Sequence, residues 1–171
     1  MITRKFLLAA TAGLLLAQAP AHAADATAYV LPLSLAVEAA TEAVRACEAS
    51  GFRVSVSVVD LSGQSTAQVR GDNSTPHTPD TAFRKAYTVV TFGRNYNLDT
   101  SAQVAAAMSK NAALYSAILT IPNVAPLPGA VGIKAGGHLV AAIGVSGAPG
   151  GDKDEACALA GIAKVASRLP G

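Results

Sequence analysis

Residues 34–51, SLAVEAATEAVRACEASG, repeat apolar positions at a helical period. Ala36, Ala40, Ala43, Val44 and Cys47 fall on one stripe, and Glu38, Glu42, Arg45 and Glu48 fall opposite. Ser34 is the expected N-cap and Gly51 the stop. The period then changes to two: in RVSVSVVD, residues 53–60, Val54, Val56 and Val58 alternate with Ser55 and Ser57, which predicts a half-buried strand. LSGQ turns the chain, and residues 65–70 return as the second strand of a hairpin. A polar, Pro-rich loop follows, GDNSTPHTPD at 71–80. Thr78 reads as an N-cap, Pro79 as the first helical residue and Asp80 as an acidic first-turn residue. That places His77 just outside a helix, at N′. The helix runs to Gly93 with Phe83, Ala86, Tyr87 and Val90 on one face.

Asp99, Thr100 and Ser101 compete to cap a third helix over about 102–110, with a possible continuation through 111–119. Residues 122–130 are Pro-rich loop. A second hairpin is predicted over 131–135 and 138–147, turning at Gly136-Gly137, with His138 entering its second strand. The last helix starts at an acidic turn, DKDE at 152–155, with Asp152 as cap and Glu155 at N3, and ends near Arg168. The order α-β-β-α-α-β-β-α predicts an α+β fold, an antiparallel sheet of two hairpins with helices packed on its faces.

The N-terminus reads differently. Arg4 and Lys5 precede an apolar run, residues 6–17, too short to span a bilayer, and AHA at 21–23 is a small-x-small cleavage pattern. A signal peptide over 1–23 is expected, leaving one domain, 24–171, in the periplasm or outside the cell, with no membrane insertion after cleavage. The formal net charge of +2 belongs to Arg4 and Lys5; without them the chain is neutral. It has no Lys/Arg cluster interleaved with aromatics, so no nucleic-acid partner is expected. Cys47 and Cys157 both fall in the exported part, where they can bridge or remain as buried thiols.

Signatures of enzymes are missing: no G-x-S-x-G, H-E-x-x-H, C-x-x-C or P-loop occurs. The Gly-rich run 144–151 leads into a helix whose positive end already carries Asp152, Asp154 and Glu155, which argues against a phosphate there. After the leader only His77 and His138 remain as imidazoles, and two are too few for a structural zinc site. From its own surroundings His77 reads as a solvated loop residue, and His138 as part of a hairpin turn.

Four blocks occurring in order, RVSVSVVDLSGQSTAQVRGD (53–72), RKAYTVVTF (84–92), VAAIGVSGA (140–148) and DEACALAG (154–161), resemble the GlcG/HbpS family of heme-binding-type domains. That family is related to the C-terminal domain of PduO-type cobalamin adenosyltransferases. The resemblance covers about residues 33–168 and implies a helix-covered antiparallel sheet. Together with the secretory signal, the single compact domain and the missing enzyme signatures, it points to an exported heme-binding or heme-sensing protein, not an enzyme. The site would be exposed and reversible because a loop at a helix start is not a buried pocket, and a homo-oligomer is expected. Within the resemblance, His77 is the expected iron ligand. Arg84 and Lys85 would pair with heme propionates, and Phe83 or Tyr87 would form apolar walls. Tyr96, Tyr115 and Met108 are alternative ligands. Two other functions compete: a periplasmic module for a small, glycolate-like organic anion held by helix N-termini and Arg84 or Lys85, and a structural oligomer subunit without ligand.

Overall fold

The computed structural model describes residues 29–171; the proposed leader and the cleavage pattern at 21–23 lie outside the described residues. Helix α1 (Leu33–Ala49) is capped at Pro32, two residues before the expected Ser34, and its buried stripe is Leu35, Ala36, Ala39, Ala40, Ala43, Val44 and Cys47. Strands β1 (Ser55–Asp60) and β2 (Ser65–Arg70) form the first hairpin. Its turn is tied by Asp60, whose carboxylate accepts from the amides of Ser62 (2.8 Å) and Gln64 (3.0 Å). Strands β3 (Ala130–Ala135) and β4 (His138–Ser146) form the second, turning through Gly136 and Gly137 at φ +58° and +76°.

The hairpins join through their inner strands. The sheet order is β2-β1-β4-β3, all antiparallel, with Val56 opposite Val145 and Val58 opposite Ile143. Helices cover both faces. On one lie α1 and α6 (Gly151–Val165), which enclose Val54, Val56, Val58, Ile133, Ile143 and Val145. On the other lies α2 (Thr78–Thr88), over Val59, Ala130 and Ala142. Burying each such Val or Ile contributes about 1.5–3 kcal/mol.

Two-sided cover corrects the expectation of a half-buried β1: Ser55 and Ser57 are as buried as the valines. Their hydroxyls are satisfied locally, Ser55 by Ser74 and Thr78 (3.1 and 2.8 Å) and Ser57 by Ser65 (3.1 Å), so a period-two pattern of Val and Ser here marks two interior faces.

Helix α2 continues as a π-helical turn, Val89–Gly93, and a short turn α3 (Arg94–Tyr96), reversing at Asn97 with φ +53°. The expected third helix is two, α4 (Ser101–Met108) and α5 (Ala112–Ile118). Thr100 wins the competition for the first cap through a capping box with Gln103, and Asn111 caps the second helix, which is what breaks the run. The cap of α6 is Gly150 rather than Asp152, a shift of two residues, and Asp154 of its first turn is buried.

The two cysteines are bridged. Cys47 of α1 and Cys157 of α6 form a disulfide that closes a separation of 110 residues. Loop-closure entropy of that size contributes about 4–5 kcal/mol. Among the described residues no helix is long and apolar enough to cross a membrane.

Candidate functional site: the α2 N-terminus and the hairpin cleft

His77 occupies the N-cap position of α2 rather than N′, because Thr78 already has helical geometry. The Thr78 hydroxyl is turned inward, donating to the Thr75 carbonyl (2.8 Å) and bonding Ser55, so it does not cap the helix. The His77 side chain makes no capping bond and is exposed. Its carbonyl accepts from Thr81, which leaves the imidazole as the unengaged part of the residue.

Seven residues on, close to two helical turns and about 10 Å along the axis, Arg84 shares that face of α2. Its guanidinium donates to the Val124 carbonyl (3.1 Å) and lies 3.9 Å from the Asp80 carboxylate. More than a third of the side chain is exposed, so the interaction with Asp80 is weak and leaves donors free.

Lys85 does not reach a surface ligand, against the expectation that it would meet a propionate. Its ammonium is buried, donating to Asp154 of α6 at 2.7 Å and to the Val145 carbonyl of β4 at 3.0 Å. Asp154 completes the arrangement by accepting from the Ala148 amide at 3.0 Å. Burial holds the Asp154 carboxyl above its ordinary value, opposed by Lys85 beside it. Glu155 is likewise pushed up by burial. Three of the four sequence blocks meet here: the Lys of the "KA" block, the β4 carbonyl of "IGVSG" and the Asp of "DE". They mark a buried structural tie between α2, β4 and α6.

The aromatic candidates are dispersed. Tyr87 is half-buried, packed against the cluster of Val104, Met108, Ile118 and Val124, with its ring 5.8 Å from that of Phe83. Phe83 packs on Val59 and Val89 instead. Tyr115 belongs to the same cluster as Tyr87, Met108 is buried in it, and Tyr96 is exposed on α3.

His138 was expected to be only a turn residue. It lies on the wall of a cleft of about 740 Å³ between the β3–β4 hairpin tip and the segment that follows the π turn. Arg94, Asn97, Asp99 and Lys134 share that wall, and Leu61, Leu98, Leu139 and Val140 supply apolar surface. Neither hairpin periodicity nor helix pattern could reveal this cleft, which joins residues more than forty positions apart. Among the described residues no group of three or more His, Cys, Asp or Glu side chains is arranged to hold a metal ion.

A four-stranded antiparallel sheet covered by helices on both faces, with exposed imidazoles at His77 and His138, defines a class of small α+β domains. The comparisons with known proteins give the family. Residues 31–163 match the model described as "Haem degrading protein HbpS-like", and the chain belongs to that family. It is similar to HbpS, at 36% identity and a TM-score of 0.70, over 91% of this chain and 97% of that one. A double mutant of HbpS from Streptomyces reticuli matches at 36% and 0.69, over 94% and 97%. PduOC in complex with heme shares the fold at 23% identity and a TM-score of 0.70, over 80% and 95%. Nothing among the curated proteins matches.

Proposed function

We propose that this is an exported heme-binding or heme-sensing protein that holds heme reversibly at its surface, with His77 as the iron ligand and Arg84 meeting a propionate. Membership of the HbpS-like family across residues 31–163 carries the reading. The residues at the α2 N-terminus fit such a group: an exposed imidazole without a capping bond, and a guanidinium on the same face about 10 Å away. Lys85 drops out of the site because its charge is spent on Asp154. Tyr87, packed in the core cluster, contributes at most through the shape of α2.

Heme, when bound, supplies iron able to exchange ligands and electrons. His77 would hold the iron through its imidazole nitrogen and Arg84 would pair with a propionate. The basic start, apolar run and AHA pattern support export, and a disulfide suits an oxidising compartment. Homo-oligomerisation remains part of the proposal, supported by exposed Val30, Leu33 and Val37 around α1.

The test is a hemin titration of Ala24–Gly171 beside its His77→Ala variant, followed by absorbance. A saturable Soret shift near one heme per chain, lost in the variant, is expected. Absence of any saturable shift in the parent protein refutes heme binding and leaves an organic-anion module as the better reading.

A further inference from the structure

We infer that the cleft beside the β3–β4 hairpin binds a carboxylate attached to an apolar body, with Arg94 and His138 as its polar anchors. The inference stands apart from the assignment of His77, although heme is itself one molecule of this chemical class.

Charge supplies the first argument. Five of the cleft's lining residues carry the polar chemistry: Arg94, Asn97, Asp99, Lys134 and His138. Asp99 and Lys134 neutralise each other across 2.7 Å. Arg94 is exposed and has no ion pair or side-chain hydrogen bond among the described residues, and the same holds for His138. Among the lining side chains the balance is therefore cationic, and their one carboxylate, Asp99, is already engaged. A guanidinium in this setting favours a planar carboxylate, which it can meet with two parallel donors.

Shape and backbone supply the second. The wall carrying Arg94 is built by the π-helical turn Val89–Gly93, which ends at the cleft, and by the left-handed residue Asn97. Such a turn costs regular helical bonding and is often found where a site has to be shaped. The segment is then fastened to the edge of β3: the Gly132 amide donates to the Asp99 carbonyl at 2.7 Å, and Thr100 bridges Val131. Across from it, the hairpin tip is held by the Gly136 amide donating to the Pro170 carbonyl at 2.9 Å. Both walls are thus secured by backbone bonds, with Leu61, Leu98 and Leu139 half-buried between them. A volume of about 740 Å³ lies within the range of roughly 300–1,000 Å³ usual for organic ligands and far exceeds what a two-carbon acid fills. That space accommodates an apolar body, and Arg94 offers donors that a carboxylate can accept from.

Two sources of this chemistry are separable with two probes, hemin and 4-phenylbutyrate, the latter beside its neutral amide. Each is titrated into the protein and into Arg94→Gln, His138→Gln and His77→Ala, with circular dichroism confirming that the variants fold. The acid is expected to bind saturably, to weaken about tenfold or more in Arg94→Gln, and to outcompete the amide only when Arg94 is present. If the hemin Soret shift is lost with Arg94 or His138 but kept in His77→Ala, the cleft takes heme's propionates. If hemin depends on His77 and the acid on Arg94, the cleft serves a separate, smaller acid. Binding of the acid without any Soret shift rejects the heme reading and keeps the cleft. The inference is overturned if acid and amide bind alike, or if neither probe responds to Arg94 or His138.

Discussion

Replacing Lys85 by Met should be among the most damaging single changes in the protein, for reasons set by its immediate neighbours. In the native fold the Lys85 ammonium and the Asp154 carboxylate are 2.7 Å apart, with side chains only 6% and 4% exposed. Removing the ammonium leaves Asp154 buried with one backbone donor, Ala148. Uncovering one half of a buried pair costs about 3–5 kcal/mol. For a domain of this size that lowers Tm by about 10 °C or more. The loss should depend on pH, and its sign follows from the carboxyl. Burial already raises the folded-state value of Asp154 above its unfolded value of 3.8, and Lys85 opposes that rise. Without Lys85 the rise is larger. A raised carboxyl pKa disfavours the folded state increasingly as pH climbs from the unfolded value towards the folded one. The variant should therefore be closer to the parent at pH 5 than at pH 8. Thermal unfolding followed by circular dichroism at both pH values measures this. Pairing Lys85→Met with Asp154→Leu should recover much of the loss, because no lone charge then remains inside. A single variant losing under about 1 kcal/mol, or a double variant as unstable as the two single losses added, would refute the argument.

Reduction of the Cys47–Cys157 bridge, or Cys47→Ala with Cys157→Ala, should cost up to about 4–5 kcal/mol. Urea unfolding with and without reductant reads this directly, and equal midpoints would show that the bridge contributes nothing. Gly144 of β4 lies against α2 so closely that an added Cβ would meet the Ala82 carbonyl and the Ala86 amide nitrogen. Gly144→Ala should force α2 off the sheet and lower Tm by several degrees, an effect absent from Gly171→Ala, where an added Cβ meets nothing.

How much of this was readable in advance differs from element to element. The stripe on α1, both hairpins and the order of elements follow from periodicity, because side-chain direction in helices and strands is a local property of the backbone. Lys85 misled because its position on an amphipathic helix is compatible with solvent or with burial. Only the packing of α6, which sets the buried Asp154 carboxylate against the Lys85 ammonium, chooses burial.

The same division runs through the whole molecule. The sequence by itself determined the main helices and strands and their order, the hairpin turns, the presence of two cysteines and the family blocks, most of which depend on neighbours within a few residues. Tertiary structure decided the sheet order β2-β1-β4-β3, the interior role of Ser55 and Ser57, the joining of Cys47 to Cys157 and the meeting of Lys85 with Asp154. It also decided that Arg94 and His138 share one cleft while His77 stands alone at the start of a helix. These outcomes depend on which faces pack together, and packing is settled by the burial of the entire apolar surface at once rather than by any local pattern.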